Sequence, residues 1–232
     1  MSIRKRTITS YIGEDEHAGF EFTFEPIEDT ITIEKTKVGY TARYLVRDDN
    51  PISPDEDGDD ALFLVGYHRD FTVDGPRVYH KLPDGVKRDP ADKGHLKVDR
   101  EEARAIMRGG KYEDDSIHEA ARDLIKEYHI FGLEAYIHSG VALALSHEGN
   151  FCDRQWDVSQ LGLVFVSKKY YRTNKKARKA ALSLIENWNA YLSGDVYGCV
   201  REKYDKDKKQ ISEDSCGGFS GYIYAIEELK NF

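Results

Sequence analysis

Seven positive charges fall within twelve residues of this chain: Lys168, Lys169, Arg172, Lys175, Lys176, Arg178 and Lys179, with no acid among them. They stand where a helical pattern begins. Cations in a helix's first turn oppose the macrodipole, at about 0.3–1 kcal/mol per exposed charge. Local rules of this kind are broken most often at functional sites. A helix N-terminus with basic neighbours suits phosphate. The interleaved Tyr170 and Tyr171 offer rings on which bases can stack. The chemistry implied is anion binding, nucleic acid above all, by Lys168, Lys169, Tyr170, Tyr171, Arg172, Lys175, Lys176 and Lys179. The plainer alternative is the solvated basic face of an amphipathic helix.

A second group could move protons or make specific contacts. His68-Arg69-Asp70 ends an apolar run, and His138-Ser139-Gly140 reads as a tight turn between strands. Strand ends and turns are where sites are built. A serine or Cys152 as nucleophile, with His68 or His138 as base, would make a small His-dependent hydrolase. No Gly-x-Ser-x-Gly elbow fixes such a geometry. No residue is therefore assigned as catalytic, and these histidines equally suit hydrogen bonding within turns. His68, Arg69, His138, Trp156 and Asp157 are also candidates for contact with a partner.

Metal and cofactor signals are incomplete. Asp55, Asp57 and Asp59 alternate as in a calcium loop, but Gly58 falls at the fourth position and Gly66, not Glu, at the twelfth. His147, Cys152, Cys199 and Cys216 would suit zinc chemically, yet there is no Cys-x-x-Cys and no His-Glu-x-x-His. There is no phosphate loop, and Gly217-Gly218-x-x-Gly221 lacks the dinucleotide spacing. No metal and no cofactor is expected. The three cysteines are odd in number and irregular in spacing, which fits reduced thiols.

The elements that must position these residues follow from periodicity. Thr7–Ile12, Phe20–Phe24, Thr30–Lys35 and Tyr40–Val46 alternate with period two and predict strands. Residues 48–60 are acidic and proline-broken, as in a loop or linker. Ala61–Arg69 predicts a strand, residues 74–98 an irregular excursion, and Asp99–Met107 and Ser116–His129 two helices. Leu133–His138, Val141–Ser146 and Asp157–Ser167 predict strands. Ala177, Ala181, Leu184, Ile185, Trp188 and Leu192 form the apolar stripe of a long helix over Thr173–Leu192, stopped by Gly194. Asp195–Tyr204 and Ile211–Gly217 predict a hairpin about residues 205–210. That register sets Cys199 opposite Cys216 and Glu202 opposite Glu213. Tyr222–Lys230 predicts a closing helix.

The fold class is α+β: an N-terminal antiparallel β meander, then a mixed α+β domain with a long helix and a C-terminal β-hairpin plus short helix. The expected division is a β-rich module at 1–47, an acidic linker at 48–60 and an α+β domain at 61–232. An aromatic content of 12% argues against disorder. The net charge of −8 is uneven: residues 161–232 hold 13 basic and 9 acidic residues, which leaves the remainder strongly acidic. Such asymmetry can mark different partners, although ordinary variation between solvated surfaces gives the same pattern. No apolar run reaches the ~20 residues of a membrane helix, and no apolar signal region follows the basic N-terminus. A cytoplasmic location without a membrane partner is expected.

Several stretches together resemble a known family. They are ALFLVGYHRDFTVDG at 61–75, LEAYIHSGVAL at 133–143, WDVSQLGLVFVSK at 156–168, YLSGDVYGCV at 191–200 and EDSCGGFSGYIYAIEE at 213–228. They resemble uncharacterised proteins of bacteriophages, plasmids and related mobile elements. The resemblance covers roughly residues 61–230, and Gly217 stands where an aromatic is frequent in that family. It implies an accessory protein in a host cell that binds a host or viral protein, or a protein–nucleic-acid complex. Host defence machinery such as CRISPR or restriction complexes is one such target. The expected function is therefore stoichiometric, non-enzymatic binding, with direct nucleic-acid binding through the basic helix as alternative and a His-dependent hydrolase as the next.

Overall fold

The computed structural model describes residues 19–54, 61–67, 72–73, 125–138, 140–149, 151 and 157–232. The strand expected at 7–12, the excursion at 74–98, the helix at 99–107 and most of that at 116–129 lie outside the described residues, as do His68, Arg69, Ser139, Cys152 and Trp156. In chain order the described elements are β1 (Thr32–Lys35), β2 (Tyr40–Arg47), β3 (Leu62–Tyr67), β4 (Thr72–Val73), β5 (Tyr128–Ile137), β6 (Val141–Leu145), β7 (Val158–Ser167), α1 (Asn174–Ser193), β8 (Val196–Tyr204), β9 (Gln210–Ser220) and α2 (Tyr222–Asn231). The fold is mixed α+β with antiparallel sheets.

The chain forms two compact units, one of Met1–Ile52 with Gly194–Phe232 and one of Ser53–Ser193. Against the expected layout of a module at 1–47, a linker at 48–60 and a domain at 61–232, compactness groups the chain along different lines. All of β2, from Tyr40 to Arg47, pairs antiparallel with β8. The N-terminal strands therefore belong to the sheet of the C-terminal hairpin. The first boundary, between Ile52 and Ser53, falls inside the acidic segment 48–60.

The first unit is a four-stranded sheet in the order β1-β2-β8-β9. The hairpin of β8 and β9 has the register expected from its turn, with Cys199 opposite Cys216 and Glu202 opposite Glu213. One face carries Leu45, Tyr197 and Cys199 against Ala225 and Leu229 of α2. The amphipathic spacing of α2 makes that contact possible. At the turn between β1 and β2, a Cβ on Gly39 would lie 1.9 Å from the Tyr204 carbonyl oxygen, so only glycine fits there.

Two of the expected N-terminal strands change. Thr30 ends a 3-10 turn over Glu28–Thr30, and its hydroxyl donates to the Ile27 carbonyl and accepts from the Leu45 amide. Phe20–Phe24 forms no strand. Its alternation instead seats Phe20 edge-on against Tyr40 and Tyr204, and Phe22 against Tyr44. The period-two pattern reported one-sided burial, and rings on the sheet face satisfy it without strand pairing.

The second unit is a five-stranded sheet in the order β4-β3-β7-β5-β6. Its middle strand, β7, buries Leu161, Leu163, Val164, Phe165 and Val166. A near-continuous apolar run is what a strand covered on both faces requires. On one face α1 packs Ala177, Ala181, Leu184, Ile185 and Trp188 against Leu64, Leu133, Leu143 and Val164. On the other, Phe63 stacks on Phe165 at 5.0 Å and Tyr128 meets both rings edge-on. Tyr128 and His129, expected to end a helix, begin β5, because this aromatic cluster recruits Tyr128 to the sheet.

Candidate functional site

The basic segment between β7 and α1 is held by a set of hydrogen bonds. The Ser167 carbonyl accepts from the amides of Tyr170 and Tyr171, at 3.3 and 2.9 Å. The Ser167 hydroxyl accepts from the Lys169 amide, and the Lys168 amide donates to the Glu127 carbonyl. His129 Nε2 lies 2.9 Å from the Tyr171 carbonyl. A carbonyl can only accept, so this nitrogen carries the proton. The Thr173 hydroxyl then accepts from the Lys176 amide at 3.3 Å and caps the helix. The first turn of α1 contains no acid.

The seven cations divide by role. Lys168 Nζ donates to the Ile125 carbonyl and is half-buried. Arg178 grips the Glu148 carboxylate through two hydrogen bonds, one of them 3.0 Å from Nε to Oε1. Lys169, Arg172, Lys175, Lys176 and Lys179 are exposed. Spacings of three and four residues place Lys175, Lys176 and Lys179 along one stripe of α1, and Arg172 stands just before the helix begins. That stripe lies away from Ala177 and Ala181, which face the core. Tyr170 is 62% exposed, and the Lys169 ammonium stands 5.1 Å from its ring centroid. Tyr171 is half-buried and packs against the core. Of the expected anion-binding set, Lys168 and Tyr171 therefore serve the fold, while the other six face solvent.

The structure also brings together His138 and Asp157. The Ile137 amide donates to the Asp157 carbonyl at 3.0 Å, where β5 ends and β7 is about to begin. His138 Nδ1 lies 3.6 Å from Asp157 Oδ2, with the imidazole well exposed. That separation allows charge attraction but exceeds a hydrogen bond. Tyr136 stacks on Phe151 at 5.3 Å and lies beside the His138 ring. The positions of His68, Arg69 and Trp156 fall outside the described residues.

The buried Glu202 was not singled out by its chemistry. Its carboxylate has no exposed surface. Oε1 accepts from the Thr23 amide at 2.8 Å and from Gln210 Nε2 at 3.0 Å. Oε2 accepts from the Tyr204 hydroxyl at 2.5 Å. The phenols of Tyr44 and Tyr204 are held well above the usual tyrosine range, by burial first and by the nearby carboxylate next. The usable signal was parity: Val200, Glu202 and Tyr204 share one face of β8. This cluster locks the segment at Phe20–Phe24 onto the sheet.

Among the described residues, no three His, Cys, Asp or Glu side chains gather as a metal site. Among them too, no helix is long and apolar enough to cross a membrane. Compared with protein-family models, curated proteins and solved structures, the chain matches none. Function has to be read from its own residues.

Proposed function

We propose that this protein is a non-enzymatic binding protein that contacts nucleic acid directly through the start of α1. One observation carries the reading: exposed Tyr170 beneath the Lys169 ammonium, followed by exposed Arg172 and by the stripe of Lys175, Lys176 and Lys179 on α1. A ring offers every base a stacking face, and a row of cations tracks phosphates. The overall charge of −8 does not oppose this. At physiological salt, fields decay over about 8 Å, so the local patch dominates close contact. The resemblance to mobile-element proteins favours a target in which nucleic acid is held by host protein, such as a restriction or CRISPR complex.

Fluorescence anisotropy with labelled single-stranded DNA, duplex DNA and RNA across a salt series tests this. Five phosphate contacts on a single strand give a slope of log K against log salt of about −3 to −4. Tyr170→Ala is expected to weaken binding by about 1–3 kcal/mol. Salt-insensitive or absent binding removes the reading. Affinity purification from host cells then identifies a protein partner instead.

A second reading, a His-dependent hydrolase, draws support from the approach of His138 to Asp157. A carboxylate beside an imidazole can orient it as a base. Hydrolysis of ester or phosphodiester substrates that disappears in His138→Ala would favour it; turnover unchanged by that substitution would end it.

A further inference from the structure

Cys199 and Cys216 are both free thiols placed opposite each other on the β8–β9 hairpin. Their backbone relation follows from neighbouring hydrogen bonds. The Asp48 amide donates to the Val196 carbonyl at 3.0 Å, so even-numbered residues of β8 face β2. The Gly221 amide donates to the Asp195 carbonyl at 2.8 Å, so odd-numbered residues face β9. Cys199 and Cys216 thus form a hydrogen-bonded pair, whose Cα atoms in antiparallel sheet stand about 5.5 Å apart. Disulfides span Cα separations of about 4.4–6.8 Å.

The two sulfurs differ in setting. Cys199 is fully buried under α2, with Sγ 3.8 Å from the Ala225 carbonyl. Cys216 is exposed on the edge strand, with Sγ 3.9 Å from the Gly217 carbonyl. Beside them, β9 carries Gly217 and Gly218 against the single Gly198, and Gly218 takes φ +86°. This glycine bulge adds backbone freedom next to the pair.

We propose that Cys199 and Cys216 are a redox pair that closes to a disulfide across the hairpin when a low-molecular-weight disulfide reaches the exposed edge. The Cys216 thiolate attacks one sulfur of glutathione disulfide. The sulfur–sulfur bond breaks, and one glutathione leaves as thiolate and takes up a proton. Cys199 then loses its proton and attacks Cys216 Sγ, expelling the second glutathione, which is protonated in turn. Two protein thiols are oxidised and one glutathione disulfide is reduced to two thiols. Closing the bond exchanges a contact beneath α2 for a covalent tie holding the edge strand. The closing step is the slow one, because burial pushes the Cys199 thiol up to about 11.

The test uses the folded full chain with the third thiol removed by Cys152→Ser. It is incubated with glutathione disulfide, alkylated, digested and weighed. The expected product is a peptide pair joined through Cys199 and Cys216, lighter by two hydrogens and free of glutathione. Its formation from the mixed disulfide should quicken about tenfold per pH unit between pH 7 and 9, as the Cys199 thiolate fraction grows. Cys199→Ala should instead retain glutathione on Cys216, and Cys216→Ser, at an exposed position, should yield no cross-link. A lasting mixed disulfide in the chain that keeps both thiols, an unreacted Cys216, a cross-link between two chains, or closure only in denaturant would each overturn the proposal.

Discussion

A carboxylate with no exposed atom must find its compensation inside the protein. Glu202 finds it in three donors, the Thr23 amide, Gln210 Nε2 and the Tyr204 hydroxyl. Glu202→Ala leaves those donors behind, each costing about 1–3 kcal/mol if unsatisfied. We expect a loss of about 3 kcal/mol, seen as a lower urea midpoint at unchanged slope. Glu202→Gln keeps the acceptor for Thr23 and Gln210 and should cost only about 1 kcal/mol. The phenols give a pH signature. Tyr44 and Tyr204 have folded pKa values raised above the ordinary value of 10.0. Above pH 10 the unfolded chain releases these protons while the folded chain keeps them. Stability is thus intact below pH 10 and lost as pH rises, by about 1.4 kcal/mol per pH unit for each phenol. Urea titrations from pH 8 to 11 should show this fall, and Tyr204→Phe should make it shallower.

At the scale of elements, α1 carries two devices. Asn189 donates to the Leu143 carbonyl and accepts from the Leu143 amide, at 3.0 and 2.7 Å, so its side chain occupies the outer edge of β6 as a strand would. Asn189→Ala exposes that edge. It should cost about 2 kcal/mol and raise aggregation on heating, measured by light scattering. The start of the helix offers a trade. Lys175→Glu with Lys176→Glu replaces cations that oppose the dipole by anions that suit it. Each change should add about 0.3–1 kcal/mol of stability. The same double variant should abolish binding to nucleic acid. A melting temperature that rises while affinity vanishes separates function from fold at these positions.

The elements also show which features a sequence can declare. The stripe from Ala177 to Trp188 was legible because helical period and burial coincide. The hairpin register was legible because one charged turn centres it. The N-terminal joining of β2 to β8 was not, since nothing local encodes which strand edge a distant strand will meet. Glu202 was obscure for the same reason: Thr23, its donor, lies 179 residues away. In the basic segment, residue type alone could not sort Arg178, which Glu148 neutralises, from its exposed neighbours.

For the whole molecule, the decisive fact is that one unit is written in two pieces with the other between them. The pieces end side by side: the Asp48 amide binds the Val196 carbonyl, and the Arg47 guanidinium reaches the Gly194 carbonyl at 3.5 Å. A short glycine–serine link from Ile52 to Gly194 should therefore close the first unit without residues 53–193. We expect that shortened chain to unfold cooperatively in urea; a chain with no transition would show that its sheet and α2 are insufficient alone.

The same arrangement sets an order on synthesis. β2 is made before its partner β8, which follows only after roughly 150 further residues, a delay of about 7–30 s at ordinary elongation rates. Throughout that interval Tyr44 and Leu45, which have no exposed surface in the finished protein, lack the β8 strand beside them, and Leu45 lacks α2 above it. The strands made first are completed last. A ribosome that stalls within residues 53–193 would leave a nascent chain displaying those side chains, a natural target for chaperones or for pairing with its neighbours on the same message.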